Sequence, residues 1–110
     1  MAGLTQRTPH DGDMKTLEDV GGRYELSIDG AMVAVTTYRD IGEHRVFLHT
    51  EVDPDHAGQG LSTDLIEWAL GDVRAKGLRI VARCPMVAGY LTKHHQFDAI
   101  VDTPKGVDGP

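Results

Sequence analysis

The stretch Val46 to Leu61 reads Val-Phe-Leu-His-Thr-Glu-Val-Asp-Pro-Asp-His-Ala-Gly-Gln-Gly-Leu. Its apolar period changes half-way, and that change constrains the fold more than any other feature of the chain. The first half alternates, which predicts Val46, Leu48, Thr50 and Val52 on one side of a strand and Phe47, His49 and Glu51 on the other. Pro54 ends the strand. After Gly58-Gln59-Gly60 the apolar positions become Leu61, Leu65, Ile66, Ala69, Leu70 and Val73, the spacing of an amphipathic helix. The chain therefore passes from strand to helix through a glycine turn. The first-turn amides of a helix lack intrahelical partners and carry partial positive charge, so anions bind there. Glycine at 58 and 60 lets a pyrophosphate approach the backbone, and Ser62 adds a hydroxyl donor. An ordinary strand-to-helix turn, in which glycine only supplies positive φ, accounts for the same residues.

Upstream, Tyr24, Leu26 and Ile28 alternate with Arg23, Glu25 and Ser27, and Asp29-Gly30 is a strong hairpin signal leading into a strand from Ala31 to about Tyr38. Asp40 to His44, with Gly42, supplies the next turn, so the first half reads as a three-stranded meander. The helix runs from about Gly58 to Lys76, with Gly77 as its C-terminal cap and Arg74 and Lys76 complementing the dipole. Leu78 to Cys84 is a strand with Leu78, Ile80, Ala82 and Cys84 on one face. Pro85 stops it, Met86 to about His94 forms a short helix, and Phe97 to Val101 is a last strand or extended segment. The order β-β-β-α-β-α-β predicts an α/β sandwich with a mixed sheet flanked by two helices. Residues 1–20 read as a flexible leader, dispensable for ligand binding to about residue 18; 21–102 form the domain and 103–110 a frayed tail.

A chain of 110 residues fits one domain. Its 11 lysines and arginines stand against 17 acidic residues, a net charge of −6, so broad attraction to nucleic acid or anionic membrane is not expected. An anionic ligand must be held by local donors. The single cysteine, Cys84, excludes an intramolecular disulfide and fits a reducing compartment. No stretch is apolar enough to span a membrane, and Met1 to Asp13 lacks the apolar core of a signal peptide, which makes the cytoplasm the expected location.

Val52-Asp53-Pro54, a short gap, Gly58-Gln59-Gly60-Leu61 and the amphipathic helix together resemble the acetyl-CoA-binding motif of the GNAT superfamily of N-acetyltransferases. His49-Thr50-Glu51-Val52 and Cys84-Pro85-Met86-Val87 with Tyr90 are similar, more specifically, to small single-domain N-acetyltransferase-like proteins of the YjdJ type, from about Tyr24 to Val101. The resemblance implies acetyl-CoA as cosubstrate and an amine as acceptor. It also shows departures. Larger members usually carry Gln or Arg three positions before the first glycine, where this chain has Asp55, whose carboxylate repels a pyrophosphate and leaves more of the binding to backbone donors. Larger members also insert helices between their first two strands, helping to form the acceptor site, whereas Asp29-Gly30 joins the strands directly. An open surface suited to a side chain or terminus of a protein or peptide partner follows, in place of a small-metabolite pocket.

On that resemblance the backbone of Val52 aligns the pantetheine arm like an added strand, the stretch Gly58, Gln59, Gly60, Leu61 and Ser62 holds the pyrophosphate, and Lys93 or His94 reaches the adenosine end. Lys93, His94 and His95 read equally as the solvated end of a short helix, and adjacent histidines diverge too far to make a metal pair. Transfer needs a neutral amine, and a lysine of pKa about 10.4 is only about 0.1% neutral near pH 7.4. His49 or Glu51 is a candidate base, against the alternative of an exposed polar strand face. Tyr90 is a candidate acid for the departing thiolate or a core tyrosine. Cys84 has three readings: an acetyl-carrying nucleophile, a side chain packing beside the pantetheine, or an inert buried thiol. The alternatives to transfer are a CoA or acyl-CoA-binding module without turnover and an interaction protein that keeps only the fold.

Overall fold

The computed structural model describes residues 15–102. Strands β1 (Lys15–Asp19), β2 (Arg23–Ile28), β3 (Ala31–Ile41) and β4 (His44–Val52) are followed by a 3-10 turn (Pro54–His56), helix α1 (Leu61–Ala75), β5 (Arg79–Ala82), helix α2 (Pro85–Lys93), a second 3-10 turn (Asp98–Ile100) and β6 (Val101–Asp102). They form a mixed α/β fold with one six-stranded sheet in chain order, antiparallel from β1 to β4 and parallel from β4 to β6. Both crossovers run the same way along the sheet, so right-handed connection puts α1 and α2 on the same face. Among the described residues the opposite face carries no helix, and no helix is long and apolar enough to cross a membrane.

The sheet has one more strand than the sequence predicts. Lys15–Asp19 falls within the stretch assigned to the leader, yet it pairs with β2 from Lys15↔Ile28 to Asp19↔Tyr24. Its one apolar residue, Leu17, is too little for a period to register, and the strand is held instead by its ladder and by Asp19. The meander is therefore four-stranded. Boundaries also move: β3 extends to Ile41, α1 begins at Leu61, the strand expected over Leu78 to Cys84 covers only Arg79–Ala82, and the expected strand over Phe97 to Val101 is a 3-10 turn with a two-residue strand after it. The leader before Lys15 and the tail after Asp102 lie outside the described residues.

Asp29 and Gly30 both take positive φ, 52° and 88°, as a tight hairpin turn requires. Helix α1 buries Leu61, Leu65, Ile66, Ala69, Leu70 and Val73, the face its spacing predicts. They pack on Tyr24, Leu26, Phe47 and Ile80 of the sheet, joined by Val87 and Tyr90 of α2 in one core. Full burial of each such leucine or isoleucine contributes roughly 1.5–3 kcal/mol. Gly77, at φ 73°, closes α1 through Gly77 N–H to Arg74 O (3.0 Å) and Leu78 N–H to Val73 O (3.0 Å).

Beside the C-terminal half of α1 the core is polar and fully paired. Arg45, 6% exposed, donates from Nε and Nη2 to the two carboxylate oxygens of Asp40 (2.7 and 2.8 Å) and from Nη1 to the Tyr24 hydroxyl (2.7 Å), and its guanidinium lies 4.0 Å from the Tyr38 ring centroid. Tyr24 donates to Asp72 (2.7 Å), Tyr38 to Asp19 (2.6 Å), and Lys76 to both of those carboxylates (2.8 and 3.0 Å). Burial alone would raise the pKa of Asp19, but hydrogen bonds from Tyr38, the Gly21 amide and Lys76 outweigh it and bring it down to about 2. Burial, and then the Asp72 acceptor, push the Tyr24 phenol far above its ordinary range.

Candidate functional site

The parallel pairing of β4 with β5 runs from His44↔Arg79 to Phe47↔Ala82 and ends at Arg83 N–H to Phe47 O (2.9 Å). Beyond that point β4 continues to Val52, paired only with β3, while the segment after β5 turns at Cys84 into α2. A gap therefore opens between the second half of β4 and the start of α2. It begins at a β-bulge: Tyr38 pairs with Phe47 and Thr37 with His49, leaving Leu48 as the extra residue.

The bulge corrects the predicted faces. Uninterrupted alternation put Phe47, His49 and Glu51 together. Because Leu48 uses one position, Phe47 and Thr50 both face the helices, and His49 and Glu51 face the open side. The candidate chemistry is thus divided between two sides of one strand. On the open side the exposed His49 Nε2 and Glu51 Oε2 are 2.9 Å apart. On the helix side Cys84, 2% exposed, sits with its Sγ 3.2 Å from Thr50 Oγ1, which in turn lies 2.8 Å from Thr36 Oγ1. The threonine pair had no signal in the sequence beyond two β-branched polar residues in strand positions; it completes the floor beneath the gap.

At the end of β4 the Asp53 amide donates to the Val33 carbonyl (2.7 Å), and its side chain accepts from Asp55 N–H (3.1 Å), fixing the 3-10 turn. Gly58 and Gly60 follow with φ of 84° and 74°, and a Cβ on either would meet nothing within 4 Å. Both conditions suit a backbone approached by a ligand: conformations that side chains disfavour, facing open space. Gly60 is the N-cap of α1, and no side chain caps that end. The first-turn amides are thus left to an incoming anion, so the turn fits a pyrophosphate. Leu61 is buried and anchors the turn, while Gln59 is exposed beside the glycines and Ser62 is half-buried.

A hollow of about 230 Å³ lies between the helices, lined by Ser62, Ile66, Met86, Tyr90, Lys93 and His94. Sequence distance hid this grouping; the crossover through β5 produces it. The His94 ring stacks on Tyr90 with centroids 4.2 Å apart. Tyr90 is buried, its hydroxyl accepts from Gln96 Nε2 (2.9 Å), and burial followed by the field of Glu67 raises its pKa, which makes it a weaker acid.

Residues 23–100 match a family model described as GCN5-related N-acetyl-transferase. No curated protein matches the chain. The solution structure of a GCN5-like protein from Staphylococcus aureus superposes with a TM-score of 0.64 at 19% identity, covering 83% of this chain and 91% of that one. Crystal structures of ribosomal-protein-S18-alanine N-acetyltransferase from Escherichia coli (TM-score 0.51, 24% identity, 53% of this chain and 38% of that one) and of ribosomal-protein-alanine N-acetyltransferase from Brucella melitensis biovar Abortus 2308 (0.53, 20%, 76% and 64%) share the fold.

Proposed function

The chain belongs to the GCN5-related N-acetyltransferase family, and on that premise we propose that it moves the acetyl group of acetyl-CoA to a primary amine presented by a protein or peptide. The observation that carries this reading is the gap beside Leu48 to Val52, which leads onto the uncapped, glycine-lined N-terminus of α1. Val52 offers the unpaired edge of β4 to an extended arm, the amides from Gly58 to Ser62 take the pyrophosphate, and Lys93 and His94 stand by the interhelical hollow for the nucleotide end.

Acetyl-CoA supplies an activated thioester: the amine nitrogen bonds to its carbonyl carbon, the C–S bond breaks, and the sulfur leaves to take up a proton. An amine near neutrality is almost wholly protonated, so a group of the chain must accept a proton before attack. The His49–Glu51 pair on the open face does this, directly or through water. Transfer is direct. Cys84 caps the N-terminus of α2, a position that favours a thiolate, but it is 2% exposed and its hydrogen-bond partner is the Thr50 hydroxyl rather than a general base, so the sulfur is shielded from an incoming thioester. Its role is to line the floor of the gap.

Calorimetric titration of acetyl-CoA into the protein is expected to give one-site binding, and free CoA is expected to appear when amines and peptides are added. No heat of binding overturns the reading. Binding without CoA release across the acceptor panel reduces the protein to a CoA-binding module.

A further inference from the structure

We propose that the outer edge of β1 pairs with the same edge of a second copy of this chain, in one antiparallel register centred on Leu17. The inference goes beyond the transfer reading and does not depend on it. β1 is the first strand of the sheet, and among the described residues nothing pairs with its other side. The turn into β2 decides which of its groups face outward. Val20 N–H donates to Arg23 O (2.9 Å) across Gly21-Gly22, so Val20 points its backbone at β2. Antiparallel pairing alternates from there: Glu18 and Thr16 also turn their N–H and C=O towards β2, while Asp19, Leu17 and Lys15 turn theirs away. Such an unpaired row is a template for another strand.

The residues of the edge, Lys-Thr-Leu-Glu-Asp, select that strand. Charges on an edge generally prevent pairing, but these are complementary to their own reversed order. With Leu17 opposite Leu17 of the second copy, Lys15 lies opposite Asp19 and Thr16 opposite Glu18 on both sides of a two-fold axis. Every outward N–H and C=O then meets a partner, and no like charges oppose each other. A shift by two residues either way shortens the overlap from five residues to three, and one of the two shifts sets Glu18 against Glu18. A shift by one residue sets outward groups against groups already bonded to β2.

Charge thus fixes the register, while main-chain bonds and apolar contact hold it. Lys15 and Asp19 project to the helix side, as their contacts with Asp64 (2.8 Å) and Lys76 (3.0 Å) show. On that side a groove of about 380 Å³ is lined by Lys15, Leu17, Asp64, Glu67 and Trp68. Trp68 meets the Tyr24 ring edge-on (5.5 Å) and is still 36% exposed. A two-fold axis at Leu17 brings the two grooves together and takes both Trp68 rings out of water. The contact is small and each copy carries a net charge of −6, so the dimer is weak and reversible. The groove uses Asp64, Glu67 and Trp68 of α1, whereas the hollow beside α2 uses Ser62, Thr63 and Ile66, so the second copy and acetyl-CoA occupy different flanks of the helix.

Sedimentation velocity of the full chain over about a hundredfold range of concentration is expected to show reversible growth from one chain to two. Leu17→Pro removes an N–H that points away from β2, so the β1–β2 ladder persists; it should abolish the dimer while amide spectra stay as dispersed as before. Thr16→Lys adds a charge opposite Glu18 and should tighten association at least threefold. Under mild oxidation Leu17→Cys, on the axis, should cross-link at least tenfold faster than Glu18→Cys. Directly opposed residues stand about 5.5 Å apart at Cα, within disulfide reach, and the two copies of Glu18 stand on a longer diagonal. Cys84 is buried, which leaves the introduced thiol as the one that reacts. A full chain that stays monomeric throughout overturns the proposal; if the amides of Lys15, Leu17 and Asp19 resist exchange in that monomer, the edge belongs to the chain's own residues 1–14. Dimers that persist in Leu17→Pro, or that cross-link equally through both cysteine variants, put the contact on another face and overturn it as well.

Discussion

The two halves of β4 do opposite things. From His44 to Phe47 the strand has neighbours on both edges, and Arg45 ties Asp40, Tyr24 and Tyr38 into a network that reaches Lys76 just past α1. From Leu48 to Val52 it has a neighbour on one edge, exposed side chains on one face, and a glycine turn at its end. Saturation at one end allows incompleteness at the other. A binding edge must keep unpaired backbone groups, which are costly unless a rigid neighbour holds them in place; here the neighbour is the same strand, four residues earlier.

The largest effect is expected at the saturated end. Arg45→Met removes the buried guanidinium that bonds the more exposed Asp40 and the Tyr24 hydroxyl and leaves Lys76 alone to balance Asp19 and Asp72, a loss of about 2–3 kcal/mol in urea unfolding. A loss under about 1 kcal/mol would erase the contrast. Gly60→Val attacks the incomplete end: with φ at 74° a β-branched residue costs roughly 1–3 kcal/mol of stability, and acetyl-CoA affinity is expected to fall by more than tenfold, beyond what the change in melting temperature explains. A chain begun at Val20 loses β1 together with the Asp19 contacts to Tyr38 and Lys76. It should unfold at lower urea, by about 1–3 kcal/mol, yet bind acetyl-CoA with unchanged affinity, which calorimetry on the truncated protein checks.

Acid should also separate the ends. The folded pKa of Asp19, about 2, lies below its ordinary 3.8, so its contribution is complete above pH 4 and is lost as pH falls from about 4 towards 2. Asp102, held well below the usual range by Arg79 and then His44, acts in the same sense. Amide protection, taken relative to the intrinsic exchange rate at each pH, is expected to fall first around β1 and β6 as pH drops. The smallest effect is assigned to Cys84→Ala: acetyl transfer slowed only modestly, the rate rising with pH as the amine loses its proton, and no acetylated protein by mass spectrometry after brief exposure to acetyl-CoA. A stoichiometric acetyl adduct on Cys84, chased onto an added amine at the catalytic rate, would sink direct transfer.

Where sequence reasoning succeeded, a local rule had a local cause. The α1 stripe, the Asp29-Gly30 turn and the Gly77 cap each depend on residues within one or two turns of chain. It failed where the cause was distant. Lys15–Asp19 is a strand because β2 pairs with it, and Arg45 is buried because five side chains from three strands and a helix meet it, although arginine reads as surface. The candidate site divides in the same way. The glycine turn and Cys84 on the core side could be read directly, while the separation of Cys84 from His49 hangs on a bulge that alternation cannot announce.

That bulge has a consequence for insertions and deletions. Since Leu48 is the residue without an opposite number on β3, excising it would leave Phe47, Thr50 and Val52 turned inward and His49 and Glu51 turned outward. Facing would survive while curvature would not. A straightened β4 would then pair along the segment after Arg83 as far as Cys84, where Pro85 opens α2, and the cleft would narrow with each side chain still on its present side. One amino acid, neither charged nor nucleophilic, thus sets, together with the turn at Pro85, how wide the slot in the sheet stands.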